Sequence, residues 1–325
     1  MENLFLKLKK NVEESGIRCN DYICYINDFM KIYPSETPIP KLHGHLLSSI
    51  GPRPIAFAST MDKEGNPNLS PYSFFNVFSA NPPIAIFSPA RRGRDNTTKH
   101  TYENLKETNE VVINVVNYEI VEQMSLSSTE YAKGVNEFEK AGLTPIESEL
   151  IKPYRVKESP VQLECKVKEV VELGTEGGAG NLIICEIILM HINDEVLGED
   201  WRIDQNKIDL VGRCGGNWYT RASGSSLFEL AKPLASLGIG VDRIPLDIRN
   251  SNILTGNNLG QLGNIETFPN ETDVNDFRLM ELADIFVANE DNGVQLEIEL
   301  HKKAKEYLDK GKVQEAWMTL LSFNN

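Results

Sequence analysis

IGPRPIAFAST (Ile50–Thr60), NPNLSPYSFFN (Asn66–Asn76) and NPPIAIFSPARRGRDNTTKHTYENL (Asn81–Leu105) make one nearly continuous piece of this 325-residue chain, and their reading decides the fold. In the first segment Ile55 and Phe57 stand at strand spacing, and Ser59 and Thr60 end the run. MDKEG follows, with Gly65 and Pro67 supplying a turn into a returning strand. That second strand carries Ser70, Tyr72, Ser73 and Asn76 among Leu69, Phe74, Phe75, Val77 and Phe78. Hydroxyls and an amide beside aromatic faces suit the edge of a flat heteroaromatic ring whose faces stay dry. Taken singly, each of these residues also fits a core position or a turn cap.

The third segment adds charge. Arg91, Arg92 and Arg94 fall together in a chain of formal net charge -14, and local positive charge against a negative field points to a specific anion. Asp95, Asn96, Thr97 and Thr98 are N-cap residue types, and nothing from Lys99 to Glu107 breaks a helix. The pattern therefore predicts a helix beginning near Thr98 with Arg94 at its N-terminus, where free backbone N–H groups carry roughly +0.5 charge. A guanidinium adds planar, two-pronged hydrogen bonding suited to phosphate oxygens. An RRxR run alone more often reads as a solvated basic loop; beside the two strands it is raw material for a phosphate-bearing cofactor site.

The ordered set PRPIAFAST, G-x-x-N-L-S-P-Y-S-F-F-N (Gly65–Asn76), S-x-N-P-P-I-A-I-F-S (Ser79–Ser88) and R-D-N-T (Arg94–Thr97) resembles the flavin reductase-like family of FMN-binding split barrels. The resemblance runs from about Leu46 to about Ala222. It implies a mainly β fold with added helices: a six-stranded antiparallel Greek-key split barrel, usually a homodimer with flavin near the subunit interface. It further implies that Arg94, Thr97 and Thr98 hold the phosphate, with Asp95 beside them among the cofactor-binding residues. Ser59, Thr60, Ser70, Pro71, Tyr72, Ser73 and Asn76 would line the ring and ribityl chain, assisted by Ser88. Arg53 either serves the site or anchors its strand. Arg94 stands where many members have Lys, which keeps the charge but not the geometry. The implied activity is hydride transfer from NADH or NADPH to FMN, with FAD as the alternative flavin, and electrons passed to a small-molecule acceptor. The sequence nominates no catalytic acid. A non-catalytic flavin carrier or sensor acting through its C-terminal helices is the second reading, and a flavin-dependent oxygenase or oxidase the third.

Composition narrows the remaining classes. A pI near 4.9 argues against nucleic acid or an anionic membrane as the main partner. No run of about eighteen apolar residues occurs and the first residues lack an apolar h-region, so a cytoplasmic protein is expected. Cys19, Cys24, Cys165, Cys185 and Cys214 are scattered, without a C-x-x-C pair, which reads as reduced thiols, Cys165 and Cys185 being core residues. His43 and His45 are the only close histidine pair, and no metal site is expected.

Four regions are expected: an N-terminal extension (1–45), the barrel (46–222), an irregular linker (223–271) and a helical tail (272–325). Within the barrel, EVVINVV (Glu110–Val116), VQLECKVKEVVEL (Val161–Leu173) and NLIICEIILMHI (Asn181–Ile192) read as strands. The GTEGGAG between the last two lacks dinucleotide-binding spacing and reads as a flexible hairpin loop. The resemblance makes Tyr131 and Phe138 candidate lid residues, while a surface connection with two packing anchors is the more ordinary reading of the segment. DVNDFRLMELADIFVANE, VQLEIELHKKAKEYLDK and VQEAWMTLLSF read as three helices, the last two like one helical-hairpin repeat unit.

Overall fold

The computed structural model describes residues 29–230 and 237–323; the amphipathic beginning at Leu4–Val12 lies outside them. The chain divides into two compact units, Met1–Phe228 and Glu229–Asn325. No helix among the described residues is long and apolar enough to cross a membrane.

The first unit is built on strands. In chain order they are β1 (Ala56–Met61), β2 (Pro67–Tyr72), β3 (Phe75–Ala80), β4 (Pro83–Phe87), β5 (Glu110–Val115), β6 (Pro145–Ile146), β7 (Arg155–Val156), β8 (Val161–Glu172), β9 (Asn181–Ile192), β10 (Leu210–Arg213) and β11 (Tyr219–Ala222). Seven of them form one sheet in the order β2-β1-β5-β8-β9-β4-β3, one strand more than the six expected. Its pairings are antiparallel throughout. The remaining four make two short ribbons.

The order forces the sheet to curl. β2 and β3 lie at opposite edges yet are joined by Ser73 and Phe74 alone. Laid flat, seven strands would separate those edges by about 29 Å, whereas the link from Tyr72 to Phe75 reaches about 11 Å at most. The two edges must therefore approach each other and leave a seam. Packing agrees: Ala56 and Ala58 of β1 share one buried cluster with Ala85 and Phe87 of β4, and the Tyr72 and Phe87 rings lie 5.6 Å apart.

Strand alternation divides the interior. Ala56 and Ala58 face that first cluster, whereas Ile55 and Phe57 face a second one with Leu69, Met124 and Phe138. With both faces covered, every residue of β1 is buried. Cys165 and Cys185 are buried free thiols, and burial pushes the Cys185 thiol up to about 12.

The second unit is helical. The expected first tail helix breaks at Leu282 into Glu271–Glu281 and Ala283–Ala288; Gly293–Leu308 and Val313–Leu321 follow as an antiparallel-reading pair around Gly311, whose φ is +73°. The stretch expected as an irregular linker is only partly so. It contains the helices Leu246–Arg249 and Gly256–Leu262, and Ile244, Ile248, Leu254, Leu262 and Ile265 share a core with Ala304, Leu308, Ala316 and Trp317. Apolar residues spaced by punctuation rather than by a helical period hid that core from the sequence. Trp317 is fully buried, donates its indole N–H to the Leu262 carbonyl at 3.1 Å, and meets the Phe268 ring edge-on at 4.9 Å.

Candidate functional site

A cleft of about 1020 Å³ opens in the first unit where the seam, two loops and one helix converge. Its floor is the end of β2 and the link, Ser70 to Phe74. One wall is the arginine loop, Ala90 to Arg94 with Lys99; another is the glycine loop at Gly177 and Gly178. The helix Ile39–Ser49 supplies Ile39, Pro40, His43 and Leu47. His43 meets Phe74 edge-on with ring centroids 6.3 Å apart.

The two loops are locked together. Arg91 N–H donates to the Ala179 carbonyl at 2.8 Å, and Gly178 N–H returns a bond to the Arg91 carbonyl at 3.0 Å. Asn96 Nδ2 reaches the Thr175 carbonyl at 2.9 Å, and Asn181 Nδ2 the Pro89 carbonyl at 2.8 Å. The approach is close enough to favour glycine: a Cβ on Gly177 would stand 3.1 Å from the Arg92 carbonyl oxygen. The glycine run is a hairpin loop as expected, but it is packed on the arginine loop and forms part of the cleft.

Arg92, Arg94 and Lys99 gather at one end of the cleft around a single carboxylate, Glu130. Arg92 Nε and Lys99 Nζ each lie 3.2 Å from Glu130 Oε1, and Arg94 Nη2 lies 2.5 Å from Oε2. These cations hold the Glu130 carboxyl below the usual carboxylate range, the Lys99 hydrogen bond contributing most. Arg92 is the best held of the three. Its side chain is 14% exposed against 70% for Arg94, and it donates to Thr97 Oγ1 at 3.0 Å and to the Thr98 carbonyl.

Seven of the sequence-derived site residues line the cleft: Arg53, Ser70, Pro71, Tyr72, Ser73, Ser88 and Arg94. Three of those have other duties as well. Arg53 donates to the Leu47, Ile50 and Cys214 carbonyls at 2.6, 2.5 and 3.0 Å, so it ties the end of the helix to the strand, the anchoring role left open by the sequence. Ser88 Oγ accepts the Asn181 N–H at 3.0 Å. Tyr72 donates to Thr101 Oγ1 at 2.8 Å, and burial raises its pKa.

Six fall elsewhere. Ser59 and Thr60 are fully buried toward the far end of β1, opposite Leu69 and Asn68, about 10–14 Å along the strand from Ala56. Thr60 Oγ1 accepts from Asn68 and Asn104. Asn76 is exposed on β3 and its Oδ1 accepts the Val77 N–H at 2.8 Å. Asp95, Thr97 and Thr98 form a turn of their own. The Asp95 carboxylate accepts Thr97 Oγ1–H at 2.7 Å and N–H at 3.1 Å, which holds its pKa at about 2. Thr98 Oγ1 bonds Glu103.

That turn also displaces the expected helix start. The helix is His100–Thr108, capped at Lys99 without a side-chain bond, because Asp95 satisfies Thr97 locally and Asn96 turns the chain at φ +57°. Arg94 therefore sits in a loop rather than at a helix N-terminus. Sequence reasoning missed Lys99, Glu130, Arg213 and the helix Ile39–Ser49 as cleft components, and weighted Arg94 above Arg92. Of the lid candidates, Phe138 is fully buried and Tyr131 borders a small polar cavity behind Tyr72.

Comparison with known proteins decides the family. The model of the flavin reductase like domain matches residues 48–209. A protein of Aquifex aeolicus is 38% identical over 195 residues, 60% of this chain and 97% of that one. The chain belongs to the flavin reductase-like family. Its membership makes it a flavin-linked oxidoreductase. Among solved structures, nitrilotriacetate monooxygenase component B from Bacillus cereus is 31% identical with a TM-score of 0.58, covering 62% of this chain and 98% of that chain. A Shewanella frigidimarina protein with a split barrel domain is 29% identical with a TM-score of 0.53, covering 63% and 100%. The matched region of this flavin reductase-like chain contains the seam, the arginine loop and the glycine loop. The start of the helix Ile39–Ser49, the ribbon β10–β11 and the whole helical unit fall outside it.

Proposed function

We propose that the cleft binds FMN and that the chain passes hydride from NADH or NADPH to it, with electrons delivered onward to a small-molecule acceptor. One observation carries this reading: Arg92, Arg94 and Lys99 converge on one carboxylate at the end of a 1020 Å³ cleft floored by Ser70 to Phe74. Three cations there suit a phosphate dianion, and a floor of hydroxyls beside Tyr72 and Phe74 suits a flavin ring and its ribityl chain. Bound there, FMN supplies the two-electron acceptor chemistry that the side chains lack. The chain's own part is to bind the phosphate, orient the ring along β2 and cover one side with the helix Ile39–Ser49, the other side being left to the donor. Buried free thiols support a reducing, cytoplasmic setting for this activity.

We infer further that two copies pair through β3. It is an edge strand, and Val77 and Phe78 on it are 53% and 64% exposed, an apolar edge that an unpartnered protein normally blunts.

The test is a titration of purified protein with FMN and FAD by flavin fluorescence, followed by anaerobic mixing with NADH and with NADPH. Tight FMN uptake and donor oxidation support the reading; failure to take up any flavin removes it. A carrier or sensor without turnover is the second reading, favoured by the compact unit Glu229–Asn325 beyond the matched residues. It predicts retained flavin and no donor oxidation.

A further inference from the structure

Arg213 ends β10, outside the matched residues 48–209, and borders the cleft. Its guanidinium lies over the Tyr219 ring, 4.6 Å from the centroid, so its plane is held by stacking. On the arginine loop each cation is held by a polar partner: Arg92, Arg94 and Lys99 share Glu130, and Arg91 donates through Nε to Asn96 Oδ1 at 2.7 Å. Arg213 is not. Among the described residues it forms no ion pair, and a neighbouring charge is another guanidinium, Arg53, itself 6% exposed and likewise in no ion pair among those residues. Burial, and after it the Arg213 charge, lower the Arg53 pKa. Two neighbouring cations without an anion are costly to keep, and a bound anion relieves that cost.

Beside Arg213 a side pocket of about 150 Å³ opens. Ile55, Pro71 and Met124 give it an apolar wall, and Ser73, Ser125 and Ser128 add hydroxyls. Pro71, Ser73, Ser128 and Arg213 also border the main cleft, so the pocket is entered from it. The pocket's size is that of about five waters, enough for a small organic acid and too little for a nucleotide. Inorganic phosphate fits the wall badly because it has no apolar body. A second fork is missing too, since Arg53 already donates to three carbonyls and to Ser73 Oγ.

We propose that this pocket binds the carboxylate of a small organic monoanion, with the oxygens on Arg213 and the carbon body on Ile55, Pro71 and Met124. That this acid is the flavin's reaction partner rests on the function proposed above; its binding does not. The placement next to Ser73, on the floor of the cleft, sets its carbon body against the ring position assigned there.

The full-length chain is titrated calorimetrically with benzoate and with benzamide, its neutral isostere, with and without FMN. Benzoate is expected to bind at least tenfold more tightly than benzamide. Arg213→Gln should abolish that preference and Arg213→Lys restore part of it. Ser125 is exposed on the helix Val121–Leu126 and borders the pocket but not the main cleft. Ser125→Asp should fill the site with an internal carboxylate, lose benzoate binding tenfold and leave FMN affinity unchanged, which keeps the test decisive if Arg213→Gln fails to fold. Equal binding of benzoate and benzamide, an unaltered benzoate affinity in Ser125→Asp, or the same heat from chloride alone overturns the proposal. Benzoate preference without FMN uptake leaves this site standing and removes the proposed function; FMN uptake without benzoate preference does the reverse.

Discussion

Glu130 Oε2 lies 2.5 Å from Arg94 Nη2, and the same carboxylate reaches Arg92 and Lys99 at 3.2 Å, so one acidic side chain offsets part of the charge at the cationic end of the cleft. A phosphate arriving there competes with it. Glu130→Gln should tighten FMN binding about twofold to fivefold, the range of a partly exposed ion pair, and leave riboflavin, which has no phosphate, unaffected. Fluorescence titrations of both flavins measure this, and the gap between them should shrink as salt screens the cluster.

The three cations are not equivalent. Arg94 is mostly exposed, so Arg94→Ala should weaken FMN at least tenfold, about 1.4 kcal/mol, with little change in melting temperature. Arg92 also fastens the loop through Thr97 and the Thr98 carbonyl. Arg92→Ala should therefore lose both affinity and thermal stability, and a variant that lost neither would remove the arginine loop from the site.

Contact between the loops offers an uncharged test. Gly177→Val would drive side-chain atoms into Arg92 and Gly93, whose backbone lies within 3.2 Å of a Cβ at that position. FMN affinity should fall at least tenfold while the far-ultraviolet circular dichroism of the sheet is unchanged.

Glu137 provides a pH signature. Its carboxylate is 5% exposed and accepts the Leu69 N–H at 3.1 Å, and burial raises its pKa above the ordinary carboxylate value. Between the ordinary and the raised value the folded chain holds a proton that the unfolded chain has released. Stability therefore falls as pH rises through that window. Glu137→Gln keeps an acceptor for Leu69 without the charge. It should melt about 2–4 °C higher than the parent at neutral pH, with the advantage vanishing near pH 4.

Trp317 tests the helical unit. Its replacement by Ala leaves a large cavity among Leu262, Leu308 and Leu320, a loss of about 3–5 kcal/mol. Calorimetry should show a lowered helical transition, and FMN affinity should stay within twofold. Shortening the chain should be done after Phe228, because Phe268 packs on Trp317 and a cut there divides the core.

Strand positions were legible because Ile55, Phe57 and the β-branched runs of β5, β8 and β9 alternate in the register that the sheet uses. The floor of the cleft was legible for a similar reason: Ser70 to Ser73 end a strand at a two-residue turn. What alternation conceals is depth, since Ser59 and Thr60 carry the right chemistry at the wrong end of β1. Glu130, Lys99 and Arg213 were hidden because their meeting depends on long-range packing. Single charges in a chain of net -14 give no local signal of their partners. The core around Trp317 was obscured by the Gly, Asn and Pro that separate its contributors.

The two-residue join across the seam also bears on when the pocket comes into being. The β8–β9 hairpin is local in sequence, but Ser73, Arg92, Gly177 and Arg213 meet only once both rims of the curled sheet are brought together. On the proposed function, half-assembled chains thus have nothing to offer the coenzyme. Ligand free energy accrues wholly to the finished protein, so the shift of unfolding midpoint with added FMN doubles as a gauge of how completely the rims have zipped.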